Sequence, residues 1–218
     1  MQGSRCGVVF IAILAAIGSV APASAQVVVD DFSTDQTVNH STVSSSTVDE
    51  IGGSGILGGV RLIRLTQGAL AGSVSGAVSG GALTMSTTTQ ADLEVWWDGV
   101  DDNAFTPTGL GGLDLTNGGQ FDRFVLDVSA NSLPSDTMRL QIWIDGGNRC
   151  EVQFAMPVGQ LELQFSSFTT CSGTATSTTA SQNAGLILLR TVFRPGAWSF
   201  TLGFVQSTPV KLQAFSVD

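Results

Sequence analysis

From Val27 onward the chain alternates apolar and polar residues with a period of two, and this pattern decides its fold class. Successive side chains of a strand point to opposite faces, so alternation marks a strand with one buried face. Val27–Phe32, Val60–Thr66, Ala82–Met85 and Leu93–Trp97 read this way. Phe124, Leu126 and Val128 share one face. Met138, Leu140, Ile142 and Ile144 form the cleanest inward face, which turns Arg139, Gln141, Trp143 and Asp145 outward. Asp145–Asn148 reads as a turn into a return strand carrying Cys150, Val152 and Phe154. Leu161, Leu163 and Phe165 repeat the pattern, and Leu186–Phe193, Trp198–Phe204 and Val210–Val217 complete it. No segment shows the 3.6-residue period of an amphipathic helix. Roughly eleven or twelve short strands with regular turn signals predict a single all-β domain, a jelly-roll-like antiparallel β-sandwich. Gly68–Gly81 reads as a loose edge strand or a flexible loop, and Ser172–Ser181 as a polar loop.

The first 25 residues stand apart. Arg5 precedes an uncharged apolar run, Val8–Ile17, and Ala23-Ser24-Ala25 before Gln26 has the form of a cleavage site, so 1–25 is read as a secretory signal peptide. The run is too short to span a bilayer core of roughly 30 Å, and no membrane span is expected in the mature chain. Removal of 1–25 leaves residues 26–218 as one domain. The full chain carries a net charge of −9, and loss of Arg5 makes the mature chain one unit more negative. That balance argues against nucleic acid, whose phosphates demand a basic surface, and leaves neutral glycans and divalent cations as partners. Cys150 and Cys171 remain after cleavage, and in an oxidising compartment an even pair reads as one disulfide. Two buried free thiols are the alternative.

Four segments, Val28–Thr34 (VVDDFST), Gly58-Gly59-Val60-Arg61, Trp97–Asp101 (WDGVD) and Thr108–Thr116 (TGLGGLDLT), occur in this order. Together they resemble the secreted jelly-roll domains of bacterial exosortase substrates, the PEP-CTERM and IPTL-CTERM type proteins, across most of the mature chain. Val60 stands where that pattern usually has an acidic residue. The resemblance implies a secreted jelly-roll with an envelope or extracellular address rather than an activity. Those proteins end in a short motif, an apolar span and a basic tail that this sequence lacks, so anchoring is not implied.

Two constellations suggest ligands. The oxygen-rich run Asp98, Asp101, Asp102 and Asn103 suits a hard cation such as structural calcium, although the EF-hand spacing fails at Val100; a solvated acidic loop with Asx turns is the alternative. Asp30 and Asp31 form a second acidic candidate if Asp218 approaches them. Trp96 and Trp97 are adjacent, so one must leave the core. Trp143 on an outward parity, with Gln141, Arg139 and Asp145 beside it and Trp96 nearby, has the make-up of a sugar platform. If a loop or Ser172–Ser181 covers Trp143, it is core instead.

Catalysis has less support. His40 is the single histidine, in a Ser/Thr-rich stretch that reads as an exposed loop, and no HExxH, GxSxG or phosphate-loop motif is present. Glu94, Glu151 and Glu162 are the carboxylates a glycosidase would draw on. Tyr, common in sugar sites, is absent. The leading expectation is a secreted, non-catalytic envelope or matrix protein that binds neutral polysaccharide without charge dependence. A glycoside hydrolase or lyase on the same fold, and a structural surface or filament subunit, are the alternatives.

Overall fold

The structure, a computed structural model, describes residues 26–133, 138–191 and 196–209. The signal peptide, the expected strand Val210–Val217 and the approach of Asp218 to Asp30 and Asp31 lie outside the described residues.

Among the described residues fourteen strands are formed: β1 Val27–Asp30, β2 Gln36–His40, β3 Ser45–Gly52, β4 Val60–Gln67, β5 Val74–Ser79, β6 Ala82–Thr87, β7 Ala91–Trp97, β8 Phe121–Asn131, β9 Met138–Trp143, β10 Arg149–Phe154, β11 Gly159–Gln164, β12 Thr170–Ser172, β13 Leu186–Thr191 and β14 Trp198–Pro209. They make two sheets with every ladder antiparallel. Sheet one runs β11-β8-β14-β6-β5-β2, with β1 pairing β14. Sheet two runs β12-β10-β9-β13-β7-β4-β3. The protein is an antiparallel β-sandwich of jelly-roll type. Its core lies between the sheets, where Phe124, Leu126, Val128 and Leu202 belong to the same buried cluster as Leu65, Val95, Leu140, Ile142 and Leu189. Burying one such side chain stabilises by roughly 1.5–3 kcal/mol.

Three local expectations change. The Gly-rich stretch 68–81 contributes β5, which pairs with both β2 and β6 and is no edge. Gly76 is there because a Cβ would meet Met85 Sδ at 2.9 Å and Ile63 Cγ2 at 3.2 Å. His40 is the last residue of β2 in sheet one rather than part of an open loop, and a short turn after it leads across to β3 of sheet two. The polar segment Ser172–Ser181 contains a short helix, α1 Ser177–Gln182, opened by a reciprocal capping box between Thr176 and Thr179. That cap and the burial of Ala180 and Ser181 stabilise a helix that hydrophobic periodicity does not reveal.

The four segments quoted above converge at one place. Asp30 and Arg61 form a fully buried ion pair, with Arg61 Nη1 3.1 and 3.0 Å from the two Asp30 oxygens. Arg61 Nε donates to Gln36 Oε1 and Nη2 to the Thr34 carbonyl. Trp97 Nε1 and the Phe32 amide donate to Asp30. Phe32 adopts a positive φ of 54°, and its ring lies 5.7 Å from the Arg61 guanidinium. Gly58, at φ 70°, packs so closely on Gly99 that a Cβ would lie 2.6 Å from the Gly99 Cα and 2.8 Å from Leu110. These residues hold β1 and β2 of sheet one against β4 and β7 of sheet two. Their chemistry is architectural.

Candidate functional site

The antiparallel register aligns the outward residues of sheet two into rungs that cross the sheet. Arg64 of β4 faces Glu94 of β7, which faces Arg190 of β13, which faces Arg139 of β9. One rung on come Leu62, Trp96, Leu188, Gln141 and Glu151. A third carries Leu186, Trp143 and Arg149. Side chains opposite one another on one face are in contact range.

The middle rungs carry a small apolar cluster on the solvent side of the sheet. Leu62, Trp96, Leu186 and Leu188 are buried there, with Phe105 and Trp143 packed against them. Phe105 reaches over from the β7–β8 connection and sits edge-on to both indoles, 5.2 Å from Trp96 and 4.9 Å from Trp143. Trp143 is therefore half-buried. Its cover comes from Phe105. The Arg149 guanidinium lies 4.6 Å from the ring centre of Trp143, a cation–π distance. Beside these rings lies a hollow of about 260 Å³, lined by Arg64, Glu94, Gln141, Arg149 and Arg190 along with the aromatic residues.

The polar groups form a connected frame. Trp96 Nε1 donates to Glu94, Trp143 Nε1 to Gln141 Oε1, and Gln141 Nε2 to Glu151. Arg190 spans Asp92 and Glu94, Arg64 also meets Glu94, and Arg139 meets Glu151. Burial, with the Glu94 charge adding to it, pushes Asp92 up to about 6 despite Arg190. The Nε–H groups of Arg139 and Arg190 are buried without a partner.

Of the residues singled out from sequence, Trp143, Gln141 and Trp96 line the same hollow. Arg139 lies on the neighbouring rung, held by Glu151. Asp145 is corrected: its carboxylate accepts the amides of Gly147 and Asn148 and the Asn148 side chain, which closes the β9–β10 turn. Those hydrogen bonds lower its pKa and commit it away from the hollow. Sequence reading missed Arg64, Phe105, Arg149 and Arg190. Arg149 had a legible signal, since it follows the turn and pairs with Trp143. Phe105 had none, being an isolated aromatic in a loop. A second hollow of about 270 Å³ lies between β8 and α1. It is lined mostly by hydroxyls and amides, with Phe121, Phe165 and Asp122, and has no cation and no indole.

No protein-family model matches the chain, and no curated protein matches it. Among solved structures it is similar to the family 11 carbohydrate-binding module of the cellulosomal cellulase Lic26A-Cel5E of Clostridium thermocellum. The identity is 11% and the TM-score 0.45, over 88% of this chain and 99% of that one. A solution structure of CtCBM11 shows 12% identity and a TM-score of 0.46 over the same shares. The family 11 module from Clostridium thermocellum in complex with a β-1,3-1,4-mixed-linked tetrasaccharide shows 13% and 0.42, over 85% and 96%.

The acidic loop does not assemble a cation site. Among the described residues no group of three or more His, Cys, Asp or Glu side chains is placed to hold a metal ion. Asp98 accepts the amides of Val100 and Thr106, and Asp102 accepts the Ala104 amide and the Thr106 hydroxyl. Asn103, at a positive φ of 53°, sends its amide to Glu50. The oxygens of Asp98 and Asp102 are spent on the loop's own turns. Asp101 instead faces Glu50. Burial, and then a hydrogen bond with Asp101, push the Glu50 carboxyl up to about 7. The folded protein thus holds a proton there that the unfolded chain releases near pH 4.5. Stability from this group is complete below about pH 4.5 and declines as pH rises toward about 7. Thermal melts from pH 4.5 to 8 are expected to show that decline, and Glu50→Gln to flatten it; an unchanged profile in the variant would remove Glu50 as its source.

The carboxylates considered for hydrolysis are dispersed. Glu162 sits on β11 of sheet one, paired with Arg123. Glu94 and Glu151 share a face, but their strands are three places apart. At about 4.8 Å per strand their backbones are roughly 14 Å apart, and each carboxylate is held by arginines. His40 Nε2 lies 2.9 Å from the Thr42 carbonyl and 3.0 Å from the Ser45 hydroxyl.

Proposed function

We propose that this protein is an extracytoplasmic, non-catalytic glycan-binding domain and that the hollow on the outer face of sheet two is its site. One observation carries the reading. Trp96, Phe105 and Trp143 lie at a solvent-facing hollow walled by Arg64, Gln141, Arg149 and Arg190. Apolar rings beside planar hydrogen-bonding side chains match a sugar, which has C–H faces and hydroxyl edges. Ion pairs and hydrogen bonds fix Arg64, Gln141 and Arg190, and the Trp143 ring holds Arg149, before any ligand arrives, which lowers the cost of binding. The signal-peptide pattern and the disulfide described below support an oxidising compartment. The resemblance to exosortase substrates supports an envelope or matrix setting, with polysaccharide or other envelope components as partners. Among the described residues no helix is long and apolar enough to cross a membrane.

Affinity electrophoresis of residues 26–218 in gels containing neutral and acidic polysaccharides tests this. Retardation by at least one polysaccharide is expected, and Phe105→Ala should weaken it about ten-fold or more, as removal of a central aromatic contact does. Trp143→Ala should do the same and also cost about 1–3 kcal/mol of stability. That cost exceeds the sequence expectation for an exposed platform because Phe105 and Arg149 enclose the ring. Retardation that survives both substitutions would place binding elsewhere.

A further inference from the structure

We propose that the hollow takes an anionic saccharide, one bearing a carboxylate as a uronic acid does, and that Arg149 is the group that receives the carboxylate. This deepens the glycan-binding reading and rests on it. The cations of the molecule concentrate on this face. The chain has a net charge of −9 and nine lysines and arginines in all. Four of them, Arg64, Arg139, Arg149 and Arg190, project from this one face. Of the acids there, Asp92, Glu94 and Glu151 are already engaged by Arg190, Arg64 and Arg139, and Glu50, opposite Leu62 on β3, accepts the Asn103 amide.

Arg149 is left over. Its guanidinium lies over the Trp143 ring, at 4.6 Å, and no carboxylate lies within ion-pair distance of it among the described residues. A guanidinium stacked on an indole keeps its in-plane N–H donors free, and those donors match the two oxygens of a carboxylate. The stacking also fixes the head group, so little freedom is lost when the anion arrives. Next to it, Trp96, Phe105 and Leu188 line the same hollow and give a pyranose ring an apolar surface. Arg64, only 3.5 Å from Glu94 and partly exposed, adds a second positive charge. A free small anion would use Arg149 alone; a uronic acid uses both the cation and the rings. The expectation of charge-independent binding to neutral glycan came from the whole-chain charge; the carboxylate-free Arg149 is the local reason to expect otherwise.

The test is calorimetric titration of residues 26–218 with oligogalacturonates, oligoglucuronates and oligomannuronates, each as the free acid and as the methyl ester, beside neutral oligosaccharides. At least one acid form should bind at least ten-fold more tightly than its ester. Its affinity should fall severalfold between about 0.05 and 0.5 M salt, where screening removes most exposed-charge attraction. Arg149→Gln should weaken it about ten-fold, the scale of one charge-assisted hydrogen-bonded pair. Arg149→Lys should recover part of the loss, because charge returns without the fork. Arg123→Gln, which removes the same unit charge from sheet one, should change little. Equal binding of ester and acid, or of neutral oligosaccharides, with Arg149→Gln indistinguishable from the parent, overturns this inference and leaves the glycan-binding reading standing. Binding of no saccharide at all overturns both.

Discussion

Replacing Arg61 with Ala is expected to destabilise the fold by about 3–5 kcal/mol, the cost of breaking one side of a buried ion pair. Asp30 is fully buried and would keep only the N–H groups of Trp97 and Phe32 for its charge. Gln36 Oε1 and the Thr34 carbonyl would lose their donor as well. The positive φ of Phe32 adds to the effect. A bulky residue in that region is strained and persists only while its surroundings hold it; here the Asp30 oxygen and the overlying guanidinium do so. A domain of this kind is stable by about 5–15 kcal/mol in total, so the substitution consumes a large share. Asp30→Asn should also destabilise, and the double variant should lose less than the sum of the two, because each single change strands the other's charge. Urea unfolding of the three variants reads this directly. A loss under about 1 kcal/mol for Arg61→Ala would mean water reaches the pair, since exposed pairs are worth that little.

That ion pair also shows where the sequence stops being legible. VRLIRLT alternates in type, and an arginine between Val60 and Leu62 reads as an outward residue. In the structure Arg61 points inward with Ile63 and Leu65, whereas Leu62 points outward and is still fully buried. Alternation identifies a strand, but it identifies the buried face only where one face meets solvent. At β4 and β7 both faces are covered, the outer one by Phe105, and every residue of β7 is buried. On β9, by contrast, the pattern is clean, and Met138, Leu140 and Ile142 are inward as expected. The pair Trp96-Trp97 gave one outward ring from parity alone. Which of the two faces out was settled by the Asp30 oxygen that receives Trp97 Nε1, a contact across 67 residues of chain. The motif segments were visible as segments. Their meeting at the Asp30–Arg61 pair and at the Gly58–Gly99 contact depends on sheet topology, which short-range pattern does not encode. The site followed the same rule: Trp143 and Gln141 came from strand parity, and Arg64, Arg149 and Arg190 came from cross-strand register.

The second large effect lies at the edge of sheet two. Cys150 and Cys171 are bonded, with Cα atoms 4.1 Å apart and a sequence separation of 21. They stand directly opposite each other in the β10–β12 ladder. β12 is three residues long and mostly exposed, so its three-rung pairing has little buried apolar surface to hold it. The disulfide supplies what packing does not. Closing a loop of this length restricts the unfolded chain by roughly 3 kcal/mol in the chain-entropy model. Replacing both cysteines with Ser is therefore expected to lower stability by about 2–4 kcal/mol. The link also fixes the start of the segment that carries α1. Ser172 and Thr174 reach back to Gly147 and Asn148 of the β9–β10 turn, next to Arg149. Loosening β12 should thus raise hydrogen exchange at Gly147 and Asn148 along with 170–176, while Leu140 and Ile142 stay protected up to the global transition. Exchange rates that rise only within 170–176 would show that the turn beside Arg149 is held by Asp145 alone.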